Sequence, residues 1–140
     1  MAGQIALRLA IASMLACVAR PGWAAAEAPD WSALADVRVV NVVTQDEDGD
    51  VRDTKVWLAV VDGQGYIRTG GTTWGDHVER DPQLVLRIEG REYPLRAEFV
   101  EDDALRERIV ATFREKYGWT DGAMNIFRGS RPRIMRLLPR

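Results

Sequence analysis

Short apolar stretches that alternate residue by residue, separated by glycine-bearing turns, recur along this sequence and restrict it to folds whose antiparallel strands are joined by tight hairpins. Residues 84–89 set Leu84, Leu86 and Ile88 against Arg87 and Glu89. Gly90-Arg91 then turns the chain into residues 92–101, where Tyr93, Leu95, Ala97 and Phe99 share a face. A period of two gives each strand one face for a core and one for solvent.

The rest of the chain follows the same grammar. Residues 36–44 are rich in valine, with Val37, Val39 and Val43 alternating with Arg38, Val40 and Val42, the composition of a strand buried on much of both faces. Residues 51–61 predict one continuous strand, with Val56, Leu58 and Val60 on one face and Trp57, Ala59 and Val61 on the other. Asp62-Gly63-Gln64-Gly65 predicts a hairpin turn, and residues 66–69 the returning strand. Residues 74–80 predict a short helix stopped by Asp81-Pro82. Asp102 or Asp103 caps a helix whose Leu105, Ile109, Phe113 and Tyr117 recur every four residues until Gly118. Residues 119–128 predict a short helical segment, and residues 133–138, between Pro132 and Pro139, a final edge strand. The expected class is mainly β with α (α+β). About six antiparallel strands form a strongly curved sheet or partly closed barrel, with one amphipathic helix packed on it.

The start of the chain reads differently. Arg8 precedes an apolar stretch at residues 9–19, Arg20-Pro21-Gly22 breaks it, and Ala24, Ala25 and Ala26 supply a cleavage site. That stretch is shorter than the ~20 residues a membrane-spanning helix needs. Residues 1–26 are therefore expected to be a removable signal peptide, cut after Ala26, that sends the protein to the periplasm or outside the cell. An uncleaved anchor is one alternative. A lipoprotein signal at Met14-Leu15-Ala16-Cys17 is another, and it fits the lipid-attachment pattern poorly. No twin-arginine pair is present, so export is expected to be of the Sec type. Residues 27–35, with Pro29 and Trp31, are expected to be a lead-in draped over a single domain at residues 36–140, outside its core.

Composition narrows the chemistry. The net charge is −2 and falls further once Arg8 and Arg20 leave, which argues against nucleic acid as a partner. Cys17, the only cysteine, departs with the leader, so the domain has no disulfide, thiol nucleophile or thiolate metal site. The single histidine, His77, cannot build a two-imidazole site, and hydrolase and zinc-enzyme readings weaken with it. In an EF-hand register the acidic run at residues 45–50 would start at Thr44 and place Lys55 where a bidentate glutamate is required. A solvated strand connection is the expected reading, with no metal.

Thr69-Gly70-Gly71-Thr72-Thr73-Trp74 combines glycines that let a backbone approach a ligand, hydroxyl donors and a stacking plane, the parts of an anion or aromatic-cofactor pocket. Its alternative reading is a strand-to-helix turn with Thr73 as N-cap and Trp74 in the core. Arg52, Thr54, Lys55 and Trp57 could project toward the same pocket; otherwise Arg52 and Lys55 are solvated and Trp57 is core. His77 is either a proton donor or a surface histidine.

The order of these pieces resembles the deazaflavin (F420)-dependent nitroreductase family and its small relatives, including the DUF2255 group. The residues carrying the resemblance are Arg52-x-Thr54, Asp62-Gly63, Tyr66, the Gly-Thr turn with Trp74, Asp81-Pro82, Val85-x-Arg87-Ile88, Gly90-Arg91-x-Tyr93, Arg96-Ala97 and Leu137-x-Pro139. It runs from about Val37 to the C-terminus and implies a split β-barrel of the flavin-reductase type. It also implies F420 or FMN held by Arg52, Thr54, Lys55, Thr69, Gly70, Thr72, Thr73 and Trp74. The enzymatic form would be an oxidoreductase passing hydride to a small aromatic or quinone-like acceptor, with His77 as acid. The reading from a different class is a non-catalytic envelope domain that keeps the barrel and binds a small ligand or a protein partner. Either form permits a homodimer through the sheets.

Overall fold

The computed structural model describes residues 28–118 and 132–140; the expected signal peptide and the expected helical segment at 119–128 lie outside the described residues. Within them the chain forms a 3-10 turn (Ser32–Leu34), strands β1 (Val40–Gln45), β2 (Val51–Val56), β3 (Leu58–Val61) and β4 (Gln64–Thr69), and helix α1 (Thr73–Arg80). Strands β5 (Gln83–Ile88) and β6 (Arg91–Phe99), helix α2 (Asp103–Tyr117) and strand β7 (Arg133–Pro139) follow. The seven strands make one sheet in the order β2-β1-β5-β6-β7-β4-β3, and every pairing is antiparallel.

The two edge strands are consecutive in sequence, joined only through Trp57. A sheet whose edges are one residue apart in the chain must curl until they nearly meet. All seven strands accordingly feed one cluster of buried side chains, which includes Val42, Val56, Leu58, Ile67, Leu86, Leu95 and Met135 and which α1 joins through Trp74 and Val78. The alternate residues of the β3-β4-β7 side, Ala59, Val61, Tyr66 and Ile134, point to the opposite face and bury against Ile109, Phe113 and Tyr117 of α2. The α+β split-barrel architecture expected from the sequence is the one observed, with α1 contributing to the enclosed core and α2 covering an outer face.

Several local expectations are corrected. The strand expected at 51–61 is two strands, because β2 pairs with β1 as far as Val56↔Val40 and β3 then joins β4 from Leu58↔Ile67. The first strand begins at Val40; the carbonyls of Val37 and Arg38 are instead met by Lys116 Nζ and the Tyr117 hydroxyl at the end of α2. Strand β7 is interior, between β6 and β4, and its bounding prolines end it without placing it at an edge. Trp31 is 5% exposed within the barrel core, so the lead-in does contribute to that core. Its ring lies over Gly65, where a Cβ would fall 2.3 Å from the indole. The β5–β6 turn is Glu89-Gly90, with φ of 49° and 80°, and Asp62-Gly63 repeats that geometry at 51° and 71°. Positive φ at both central positions is the hairpin turn that matches strand twist.

Candidate functional site

Strand β4 runs past Ile67, where its pairing with β3 ends, to Arg68 and Thr69. Across from these residues the upstream chain has already left for the other edge as β2. The seam left between β2 and β4 is a cavity of about 400 Å³ lined by Thr54, Lys55, Val56, Trp57, Arg68, Thr69, Gly70, Thr72 and Trp74. It is the direct product of the switch at Trp57. Of the residues singled out from the sequence, the fold brings together Thr54, Lys55, Trp57, Thr69, Gly70, Thr72 and Trp74 here.

Three others are elsewhere. Arg52 is exposed toward the far end of β2, opposite Thr44, and Thr73 is the exposed first residue of α1. His77 is buried, against the surface alternative, and its Nδ1 lies 3.2 Å from Thr44 Oγ1 in a separate cavity.

The Gly-Thr turn is held from several sides. Thr72, in place of Thr73, is the N-cap of α1: its backbone is extended and its Oγ1 accepts the Gly75 amide at 3.3 Å. The Thr69 and Thr72 hydroxyls hydrogen-bond each other. Arg133, at the start of β7, donates from Nε and Nη2 to the Gly70 carbonyl at 3.2 and 2.7 Å and from Nη1 to Asp76 at 3.0 Å, and pairs with Glu79 at the same distance. A Cβ on Gly75 would stand 2.5 Å from Arg133 Nη2, so the glycine makes room for that guanidinium. A Cβ on Gly70 would meet nothing within 4 Å, so the turn borders open space.

Sequence reasoning missed Arg68. It is 6% exposed, its guanidinium carbon 4.6 Å from the Phe113 ring centre and 5.4 Å from that of Trp57, and burial lowers its pKa below the usual arginine value. The signal was its place in the alternation of β4, one residue before Thr69. Trp57 is half-buried and stacked on Tyr117, with ring centres 4.2 Å apart. Trp74 is 5% exposed, so it walls the cavity as part of the core. Lys55 is exposed at the mouth. The seam thus joins two cations to two indoles, a lining suited to a planar anion.

The acidic run lies far from this place. It forms the β1–β2 hairpin, in which Asp46 accepts the amides of Asp48 and Asp50, both at 2.9 Å. Asp50 and Lys55 are about 16 Å apart along an extended strand at ~3.3 Å per residue, beyond the ~8 Å Debye length of physiological salt. Among the described residues no group of His, Cys, Asp or Glu is arranged to hold a metal, and no helix of the described residues is long and apolar enough to cross a membrane.

No protein-family model and no curated protein matches the chain. Solved structures do. Campylobacter jejuni ChuZ superposes with a TM-score of 0.64 at 14% identity over 78% of this chain; the chain spans 50% of ChuZ. HutZ, the heme storage protein of Vibrio cholerae, gives 0.62 at 16% identity over 80% of this chain and 89% of HutZ. An F420-H2 dependent reductase gives 0.56 at 14% identity over 72% and 94%. These likenesses show a shared fold.

Proposed function

We propose that this protein is an exported split-barrel domain that binds a planar, anionic redox cofactor of the F420 or FMN class in the seam and presents it to a small aromatic or quinone-like acceptor. One observation carries the reading: a cavity of about 400 Å³ at the barrel seam sets Lys55 and Arg68 beside Trp57 and Trp74. Its volume falls within the range of small-molecule sites. The names of two structural neighbours, a heme storage protein and an F420-H2 dependent reductase, support a cofactor on this fold. Haem is the poorer fit, since the chain's only histidine lies in another cavity and the seam residues offer cations in place of an imidazole.

When bound, such a cofactor supplies hydride chemistry. The chain supplies the binding. Lys55 and Arg68 hold the anionic part, Trp57 and Trp74 exclude water from the apolar part, and the Thr69–Thr72–Arg133 network fixes the turn whose Gly70 leaves room. None of the described lining residues is a carboxylic acid or imidazole, so a proton for the reduced acceptor would come from solvent.

That feature also favours a second reading, a non-catalytic envelope domain that binds the same ligand and releases it unchanged. Titration of the purified protein with FMN, FAD, F420 and haem, followed by tryptophan fluorescence, tests the shared claim. F420 or FMN is expected to quench at micromolar concentration, and failure of all four to bind removes both readings of the seam. Faster reduction of menadione by the loaded protein than by free reduced cofactor separates the enzyme from the carrier. Export is tested by mass spectrometry of the secreted or periplasmic protein, expected to begin at Glu27; a cytoplasmic chain retaining Met1 would refute it.

A further inference from the structure

A second cavity, of about 310 Å³, lies where β1 and β5 part company, and it shares no lining residue with the seam. The two strands pair only through Val43↔Val85, although β1 continues to Gln45 and β5 begins at Gln83. Their splayed ends form the walls. His77 projects from α1 into this gap, 9% exposed, with Nδ1 held by Thr44 Oγ1. Among the described residues its Nε2 has no hydrogen-bond partner, and it is not among the sealed-off polar atoms, which leaves it open to the cavity. Where the Thr44 hydroxyl is the donor of that hydrogen bond, Nε2 is the ring nitrogen that carries the proton.

Arg140 stands at the other side. Its Nε and Nη2 donate to the Leu95 and Leu84 carbonyls at 3.3 and 3.1 Å, which orients the guanidinium and leaves Nη1 without a partner among the described residues. Val43, Val51 and Val85 supply the apolar part of the lining. Asp81 is the one acidic side chain among the lining residues, and one of its carboxylate oxygens accepts the Gln83 amide at 3.1 Å.

From this arrangement we infer that the β1–β5 cavity is a second small-molecule site, selective for a compact organic carboxylate whose oxygens accept from His77 Nε2 and Arg140 while its apolar body rests on the valines. The inference is independent of what the seam binds.

Because His77 is the only histidine, its Cε1 proton is a single resolved reporter. Benzoate titrated into the full chain is expected to shift that resonance saturably at millimolar concentration, while benzylamine, of the same shape and opposite charge, leaves it in place. Arg140→Ala is expected to weaken benzoate by roughly tenfold, the worth of one charge-assisted hydrogen bond. Val51→Glu, at a position 63% exposed, places a carboxylate in the wall and is expected to abolish the shift with the melting temperature unchanged. No shift with benzoate, an equal shift with benzylamine, or unchanged affinity in either variant overturns the proposal.

Discussion

Gly75 shows how much of the seam rests on single atoms. It is buried in the first turn of α1, against both Arg133 and Thr69, and a methyl group there would come within 2.8 Å of Thr69 Cγ2 as well as 2.5 Å of the guanidinium. Arg133 is tied to Gly70, Asp76 and Glu79 and has little freedom to retreat. Gly75→Ala is expected to cost about 1–3 kcal/mol, seen as a lowered Tm, and to weaken ligand binding at the seam through the displaced turn. Unchanged melting would show that the turn has slack. At this scale the sequence exposed the turn residues and hid their anchor. Thr69, Gly70, Thr72 and Trp74 are contiguous or nearly so, and their composition marks a pocket or a turn. Arg133 is far along the chain, and nothing local to it indicates a partner. Arg68 was hidden for another reason: an arginine in a strand is read as solvent-facing, and only the aromatic surface of α2 makes a buried one tolerable.

The seam depends on α2 as an element. Leu58 begins β3 on the free edge of the sheet, and the end of α2 satisfies it: the Tyr117 hydroxyl accepts the Leu58 amide at 3.0 Å and lies 2.9 Å from its carbonyl, which Lys116 Nζ also reaches at 2.8 Å. The same hydroxyl lies 2.7 Å from the Arg38 carbonyl. Tyr117→Phe keeps the stacking on Trp57 but leaves the Leu58 amide without this partner, at an expected cost of about 1–3 kcal/mol measured by denaturant unfolding. Burial raises the Tyr117 pKa above the ordinary phenol value. The folded protein therefore holds this proton more tightly than the unfolded chain. The stability it contributes is complete below about pH 10, the unfolded value, and is lost as pH rises through the higher folded value. Tyr117→Phe is expected to flatten that alkaline loss; an unaltered alkaline limb would contradict this role. The stripe of α2 was legible because its period survives any surroundings. The break at Trp57 was not, because residues 51–61 alternate without interruption and only the competition between β1 and β4 for partners divides them.

At the scale of the whole molecule, one curled sheet builds two cores and leaves gaps where strands diverge. The seam opens between β2 and β4, where the chain changes edges at Trp57, and the His77 cavity where β1 departs from β5. Hairpin alternation made the curved antiparallel sheet legible in the sequence. The closure was not, since it depends on the two edges being neighbours in the chain. Closure also separates groups that adjacency had suggested were together, sending His77 to one gap and Lys55 to the other and placing the acidic hairpin beyond electrostatic reach of the seam. Binding of a planar anion by the cations of the seam can be tested at Lys55 without disturbing the fold, because that side chain is exposed. The decisive measurement is the F420 and FMN affinity of the wild type and of Lys55→Glu at low and high salt. Wild-type binding is expected to weaken with salt, and the variant to lose roughly tenfold or more in affinity with its melting temperature unchanged. Equal affinity in the two proteins, or binding indifferent to salt, would contradict binding through the cations.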